Sequence, residues 1–294
     1  MIRKAPEITC CAQTNDVLGE VPVWSSSEKA IYWIDAFKPA IHRLIPTTGE
    51  VTSWTPPQKL GSFALRRSGG FLLATRIGIA VFDPGTSAFE VVATPEADRP
   101  NNLLNDGRCD RRGRFWVGSM DKMLQRLTGR LYRINPDYSC RVMDDDIFLF
   151  NGLCWSPDDR VLYFADSHRH AIFAYDFDIE AGTVRNRRLF ASTKERPGVP
   201  DGATVDAEGF MWSAQFDSSA IVRYAPDGRV DHVVELPVSR ATACVFGGDR
   251  LDVLYVTTAT FRLPKEKRHR ESYAGGLLAL DVGVRGVPES PFAG

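Results

Sequence analysis

The chain has 294 residues, of which 44% are hydrophobic, and this length can bury a large core in one compact unit. Its 36 basic and 37 acidic residues are interspersed and give a formal net charge of −1, which excludes the basic footprint of nucleic-acid or anionic-membrane binding. No apolar stretch approaches the roughly 20 residues that cross a bilayer. We therefore expect one domain over residues 1–294, located in the cytoplasm, with neither nucleic acid nor membrane as a partner.

The six cysteines are scattered and contain no Cys-x-x-Cys pair. They indicate neither a disulfide framework nor a thiolate zinc site. We expect Cys109, Cys154 and Cys244 to be small buried residues, because each falls at the start of one of the units that repeat along the chain.

Taken in chain order, the predicted strands form six units of about 45 residues with the same layout. The units open at residues 23–25, 64–66, 108–110, 154–156, 204–206 and 245–247. A second strand of aromatic and β-branched residues follows at residues 31–34, 71–73, 114–117, 161–164, 210–212 and 253–256. A third strand lies at residues 40–44, 79–82, 129–134, 171–175, 220–224 and 276–280.

This repeat predicts an all-β fold, a six-bladed β-propeller with a central channel. A small twisted sheet of three or four strands can bury both of its faces only by packing against neighbours around an axis. A β-sandwich with coincidental repetition is the alternative interpretation.

One position recurs at the same offset just ahead of each opening. The residues there are Glu20, Gly61, Asn105, Asn151, Asp201 and Thr242. In a propeller the innermost strands run in one direction beside the channel, so equivalent positions form a ring at one mouth. The sequence therefore predicts that these distant residues are neighbours.

The predicted ring contains two carboxylates and two carboxamides but no Lys, Arg or His. Such a cluster is self-repelling unless a cation neutralises it, and its hard oxygen donors suit one divalent metal ion. Ca²⁺, Mg²⁺, Mn²⁺ and Zn²⁺ all remain open. The alternative is that Asn151-Gly152, Asp201-Gly202 and Asn105-Asp106-Gly107 are hairpin turns, although Glu20 is not a turn former.

Several segments resemble the SMP-30/gluconolactonase/luciferin-regenerating-enzyme family, also called the regucalcin family, over nearly the whole chain. They are Leu18-Gly19-Glu20-Val21-Pro22-Val23-Trp24, Asn105-Asp106-Gly107-Arg108-Cys109-Asp110, Asn151-Gly152-Leu153-Cys154-Trp155, Tyr163-Phe164-Ala165-Asp166-Ser167 and Pro200-Asp201-Gly202. The resemblance implies a six-bladed propeller that binds one divalent metal in its channel and hydrolyses lactones, often sugar lactones.

By this resemblance, Glu20, Asn151 and Asp201 are the metal ligands, and Asp201 is also the general base. Asn105 corresponds to a residue that contacts the substrate or a metal-bound water. The family often has an arginine two residues before this asparagine, whereas here the residue is Leu103. That departure replaces a cationic donor with an apolar wall and leaves open which lactone is preferred.

We therefore expect a metal-dependent lactonase, a carboxylic ester hydrolase in which metal-activated water opens a small-molecule lactone. Asp201 would accept the proton of the water, and a bound cation would keep its pKa low. No Gly-x-Ser-x-Gly elbow supports a serine hydrolase. The alternative is a non-catalytic metal-binding or regulatory propeller, since propellers also serve as binding scaffolds.

Overall fold

The structure, a computed structural model, describes residues 6–294. These residues form 24 β-strands in six antiparallel sheets of four strands each. The innermost strand of each sheet contacts the innermost strand of the next, and the last contacts the first, so the six sheets close a ring. The predicted six-bladed β-propeller is confirmed, and the β-sandwich alternative is wrong.

The first three blades each use four consecutive strands, ordered from the channel outward. Blade 1 contains β2 (Gly19–Ser25), β3 (Ala30–Asp35), β4 (Ala40–Ile45) and β5 (Glu50–Trp54). Blade 2 contains β6 (Leu60–Leu65), β7 (Phe71–Thr75), β8 (Gly78–Phe82) and β9 (Phe89–Ala93). Blade 3 contains β10 (Asn102–Cys109), β11 (Phe115–Asp121), β12 (Gly129–Ile134) and β13 (Cys140–Ile147).

Blades 4 and 5 follow the same plan, and blade 6 differs in its outermost strand. Blade 4 contains β14 (Phe150–Trp155), β15 (Val161–Asp166), β16 (Ala171–Asp178) and β17 (Thr183–Ser192). Blade 5 contains β18 (Val199–Val205), β19 (Met211–Phe216), β20 (Ala220–Tyr224) and β21 (Val230–Glu235). Blade 6 contains β22 (Ala241–Gly247), β23 (Val253–Thr258), β24 (Leu277–Leu280) and β1 (Ile8–Ala12). A 3-10 turn (Ser167–Arg169) and a short helix α1 (Lys265–Arg268) complete the elements.

The two ends of the chain meet in blade 6. Strand β1 pairs antiparallel with β24, with Ile8 opposite Leu280 and Cys10 opposite Leu278. The outermost strand of the last blade therefore comes from the start of the chain. This pairing closes the ring, because β1 leads directly along the chain into blade 1 and is hydrogen-bonded in blade 6 to the last strand of the chain.

The hydrophobic core is divided into six clusters, and each cluster lies in the seam between two adjacent blades. Trp116 from blade 3 and Trp155 from blade 4 meet edge to face in one seam, with ring centroids 6.4 Å apart. Trp24 stacks on Tyr255 across the seam between blades 1 and 6. Each blade is thus stabilised by burying both of its faces.

The C-terminal segment crosses the end of the channel opposite to the predicted polar ring. Arg285 accepts a hydrogen bond from Ala207 in blade 5, and Phe292 donates one to the Leu65 carbonyl in blade 2. The Phe292 side chain is fully buried between blades 2 and 3. The final residues therefore tie three blades together at this end.

The structure also bears on the cysteines and on membrane spans. All six thiols are free, and Cys109, Cys154 and Cys244 are buried as expected. Among residues 6–294, the helices are too short to pass through a lipid bilayer.

Candidate metal centre

The six positions singled out by the repeat, hereafter the polar ring, all lie on innermost strands. They are Glu20 on β2, Gly61 on β6, Asn105 on β10, Asn151 on β14, Asp201 on β18 and Thr242 on β22. Because neighbouring innermost strands contact one another around the channel, the ring predicted from the sequence is brought together.

Each innermost strand has a β-bulge at its polar-ring position. The pairing with the second strand shifts between Glu20 and Val23 in blade 1, and between Asn151 and Cys154 in blade 4. It shifts similarly in blades 2, 3, 5 and 6. A bulge interrupts the ladder and re-aims side chains, so these residues are released from the regular in-and-out alternation.

The hairpin-turn alternative for Asn105-Asp106-Gly107, Asn151-Gly152 and Asp201-Gly202 is wrong, because all three segments lie within strands. Gly152 has a φ of 62° and its Cβ position would be 2.7 Å from the Asp201 carbonyl oxygen. Glycine is therefore needed at this bulge both for its backbone angle and for the close approach of blade 5.

A strained backbone position adjoins Glu20. Val21 has a φ of 49°, which is unusual for a β-branched residue. Strain of this kind is retained where the surrounding structure enforces it, commonly at functional sites. Here it lies directly beside one of the expected metal ligands.

Three acidic side chains, those of Glu20, Asp106 and Asp201, interact electrostatically at this end of the channel. Burial raises the pKa of Glu20 well above its ordinary value, and the charges of Asp201 and Asp106 raise it further. Burial and then Asp106 likewise raise the pKa of Asp201. In the absence of a cation, these acids are therefore destabilised in their charged forms. The low pKa expected for Asp201 presupposes a bound cation, which would reverse this balance.

Asp106 is a member of the site that the sequence reasoning missed. Burial raises its pKa, although Arg108 and backbone N–H groups favour the carboxylate, and its Oδ2 accepts a 3.3 Å hydrogen bond from the Leu153 N–H. By regular alternation Asp106 would face away from Asn105, but the bulge between Leu104 and Gly107 removes that constraint. The Asn-Asp-Gly segment is the sequence feature from which Asp106 could have been predicted as a member of the site.

A chain of hydrogen bonds fixes the orientation of Asn151. The Ser167 hydroxyl donates to the Pro200 carbonyl oxygen at 2.6 Å, so it must accept from the Asn151 side chain. The Asn151 atom facing Ser167 is therefore Nδ2, at 2.9 Å. Its Oδ1 is left for the channel side, where it accepts from Asn105 Nδ2 at 2.7 Å and keeps a second lone pair free.

Asn105 is placed beside Asn151, as expected, but its hydrogen-bonding capacity is partly used. Its Nδ2 donates to the Phe150 carbonyl oxygen at 2.9 Å as well as to Asn151. Both amide hydrogens are thus engaged, which leaves Oδ1 as an acceptor. Asn105 can accept from a hydroxyl group or a water, whereas the sequence suggested that it would also donate.

Two polar-ring positions serve packing. A Cβ on Gly61 would lie 2.1 Å from the Leu104 carbonyl oxygen, so glycine permits the contact between blades 2 and 3. The Thr242 hydroxyl is fully buried and donates to the Gly19 carbonyl oxygen at 2.5 Å. Potential ligands therefore come from the other four positions and from Asp106.

The donors that remain fit a divalent metal ion. Carboxylate and amide oxygens are hard ligands that suit such ions, and a bound dication would offset the repulsion among the buried acids. In the part of the chain that the structure describes, no three acidic, histidine or cysteine side chains converge into a metal site by themselves. An amide oxygen would add to this donor set, and Asn151 Oδ1 is held in a fixed orientation.

Deeper in the channel, Arg108 connects the site to the C-terminal segment. It is 8% exposed, and its Nη1 lies 3.3 Å from Oε1 of Glu289. Burial disfavours its charge, but Glu289 and Asp106 outweigh burial and raise the pKa of Arg108. The guanidinium therefore stays charged and stabilises the carboxylate of Asp106 from below.

Comparison with known proteins finds relatives that cover the whole propeller. Residues 18–260 match the family described as the SMP-30/gluconolactonase/LRE-like region. The chain is 37% identical to a 6-deoxy-6-sulfogluconolactonase of Pseudomonas putida and 32% identical to human regucalcin, and each alignment covers 98% of this chain and 99% of the relative. A solved calcium-binding regucalcin from Agrobacterium tumefaciens has a TM-score of 0.91 and 26% identity, over 98% of this chain and 97% of that chain.

Proposed function

Because the chain belongs to the SMP-30/gluconolactonase/LRE-like family, we propose that it is a lactone hydrolase that depends on one divalent metal ion. The observation that carries this proposal is that Glu20, Asn151 and Asp201 occupy equivalent positions on innermost strands around the channel, where the charges of Glu20 and Asp201 interact and the Asn151 amide is held in one orientation. These residues supply the hard oxygen donors that such an ion needs. The names of the relatives support lactones as substrates and make Ca²⁺ the first ion to test.

Each residue of the site would have its own role in the reaction. Glu20, Asn151 and Asp201 would hold the ion, which when bound would polarise the lactone carbonyl and acidify a water. Asp201 would accept the proton of the attacking water, acting through its position. The free Oδ1 of Asn105 would accept a hydrogen bond from a substrate hydroxyl or from this water. Asp106 would add negative charge beside the ion.

The test is acid release from lactones by protein stripped of metal with a chelator, before and after Ca²⁺, Mg²⁺, Mn²⁺ or Zn²⁺ is restored. The substrates are glucono-1,5-lactone, 6-deoxy-6-sulfogluconolactone and a simple lactone without hydroxyl groups, each corrected for uncatalysed opening. We expect one ion to restore turnover. The Asp201→Asn variant should lower kcat by about 100-fold or more.

The exposed Asp227→Asn variant is the control, since Asp227 lies in a turn at the opposite end of blade 5. A protein that binds metal through Glu20 and Asp201 but hydrolyses none of the lactones would contradict the proposal. That outcome would favour the non-catalytic metal-binding or regulatory propeller.

A further inference from the structure

A second set of residues lies at the end of the innermost strands that is closer to the channel mouth. Each member precedes a polar-ring residue by two positions and lies at or next to the first residue of its innermost strand. We call these residues the upper collar; they are Leu18, Lys59, Leu103, Leu149, Val199 and Arg240. Arg240 is its one buried charged member, with 9% of its surface exposed.

Backbone contacts show that Arg240 holds the same place in its blade as Leu18 and Leu149 hold in theirs. Each of the three forms an isolated antiparallel bridge to the end of the second strand of the preceding blade. The carbonyl oxygen of each accepts a hydrogen bond from the residue after the second strand of its own blade, at 2.9 to 3.1 Å. Since leucine satisfies the fold at two of these places, the fold does not explain the guanidinium.

The guanidinium of Arg240 is held firmly but is not fully paired. Its Nε donates to Asp217 Oδ1 at 2.7 Å, and its central carbon lies 5.2 Å from the centroid of the Phe216 ring. Its Nη1 is buried and has no hydrogen-bond partner within residues 6–294. A buried charged donor without a partner is costly, and an anionic ligand would remove that cost.

Arg240 also lies beside the blade that carries Asp201. Phe216 pairs with Val199 on one edge and bridges to Arg240 on the other, and Val199 is two residues before Asp201. Arg108, the cation deeper in the channel, is already paired with Glu289. Of these two buried cations, Arg240 is the one at the mouth, where a substituent remote from the reacting carbonyl would lie.

We propose that Arg240 recognises an anionic substituent of the lactone, such as a sulfonate, through charge-assisted hydrogen bonds from its Nη groups. This assignment rests on the proposed function and names its substrate class. In the upper collar, the blade 3 residue Leu103 is apolar, whereas the blade 6 residue Arg240 provides a buried positive charge. Phe216 and Asp217 hold the guanidinium in place, so little side-chain entropy is lost on binding.

The experiment compares two lactones that differ at one carbon, 6-deoxy-6-sulfogluconolactone and glucono-1,5-lactone. We expect the wild type to have the higher kcat/KM for the sulfonate. Arg240→Met should lower the ratio of the two kcat/KM values by about 10- to 100-fold, mainly through KM of the sulfonate. Arg240→Lys, which keeps a charge but loses the planar fork, should lower the ratio less. If Arg240→Met does not fold, Arg240→Lys still tests the assignment.

Arg229→Met is the matched control, because it removes the same charge from a side chain that is 83% exposed in the turn between β20 and β21. Its ratio should stay at the wild-type value. An equal loss for both lactones in Arg240→Met, or a wild type without preference, would overturn the assignment.

A calorimetric measurement separates this assignment from the proposed hydrolysis. Metal-loaded wild type should bind 6-deoxy-6-sulfogluconate more tightly than gluconate, and Arg240→Met should bind both equally. If that difference is found in a protein that hydrolyses neither lactone, the proposed hydrolysis fails while Arg240 remains an anion-binding residue. If the wild type binds the two acids equally, the Arg240 assignment fails whatever the turnover.

Discussion

Asn105 Nδ2 donates a 2.7 Å hydrogen bond to Asn151 Oδ1, and this bond joins blades 3 and 4 at the floor of the candidate metal centre. The orientation of the acceptor is set from its other side, where Ser167 relays a hydrogen bond to the carbonyl of Pro200 in blade 5. Three blades therefore fix one amide oxygen. Residues that orient a ligand in this way contribute strongly to metal affinity.

Replacing Ser167 with alanine tests that relay. Without the hydroxyl, Asn151 can rotate and its amide oxygen is no longer held toward the channel. We expect metal affinity to fall by about 10- to 100-fold, measured by calorimetric titration of metal-free protein. Ser62→Ala is the control, because it removes another buried hydroxyl that donates to a carbonyl, that of Gly107, at 2.7 Å. Equal effects of the two substitutions would show that Ser167 only supports packing.

Metal-free protein should lose stability as pH rises above about 4, the ordinary range of carboxyl groups. The fold raises the pKa of Glu20 and Asp201, so in this window the native state holds more protons than the unfolded state. Their contribution is full below the unfolded pKa and is lost as pH rises through the folded pKa. Each excess proton lowers the free energy of unfolding by up to about 1.4 kcal/mol per pH unit.

Urea unfolding in chelator between pH 5 and 8 measures this slope. Asp201→Asn should flatten it, because one of the acids with a raised pKa no longer titrates. Asp227→Asn should leave it unchanged, since the Asp227 carboxylate accepts hydrogen bonds from the Arg229 backbone and side chain that lower its pKa, away from this range. A stability that rises with pH in chelated wild type would refute the prediction.

Removing Glu289 should destabilise the propeller through Arg108. In Glu289→Ala the guanidinium stays buried with its 3.3 Å partner gone, and breaking a buried ion pair on one side costs about 3 kcal/mol. Urea unfolding of metal-loaded protein is the measurement. The exposed pair of Arg229 and Asp227 provides a control, with Asp227→Ala expected to leave stability nearly unchanged. A similar small effect of Glu289→Ala would mean that water replaces the carboxylate.

Gly61→Ala should weaken the contact between blades 2 and 3. The added methyl group would lie 2.1 Å from the Leu104 carbonyl oxygen and 3.0 Å from Cα of Asn105, so the blades must separate. We expect a loss of about 3 kcal/mol in the free energy of unfolding. Gly85→Ala, whose nearest neighbour is Asp83 Oδ1 at 3.3 Å, is the control and should change stability little. Thermal unfolding of both variants is the measurement. Equal stability of the two variants would mean that the seam between blades 2 and 3 can adjust to the added methyl group.

The sequence alone determined the number of blades and the positions of the polar ring, because both depend on a local pattern of strands and turns that repeats six times. Each unit could be recognised from its own strands and turns. The same offset then identified Glu20, Asn105, Asn151 and Asp201 without knowledge of any contact. It also identified Gly61 and Thr242, whose packing roles could not be distinguished from ligand roles by offset.

What only the tertiary structure decided depends on contacts between distant segments and on broken regularity. The pairing of β1 with β24 joins the two ends of the chain, and residues 8–12 carry no signal for a partner so far away. The bulge that brings Asp106 into the site breaks the alternation on which sequence reasoning relies. The role of Ser167 follows from a hydrogen bond across blades, and the role proposed for Arg240 follows from the lack of a partner for its Nη1 within residues 6–294. Both depend on contacts that form only when the ring closes.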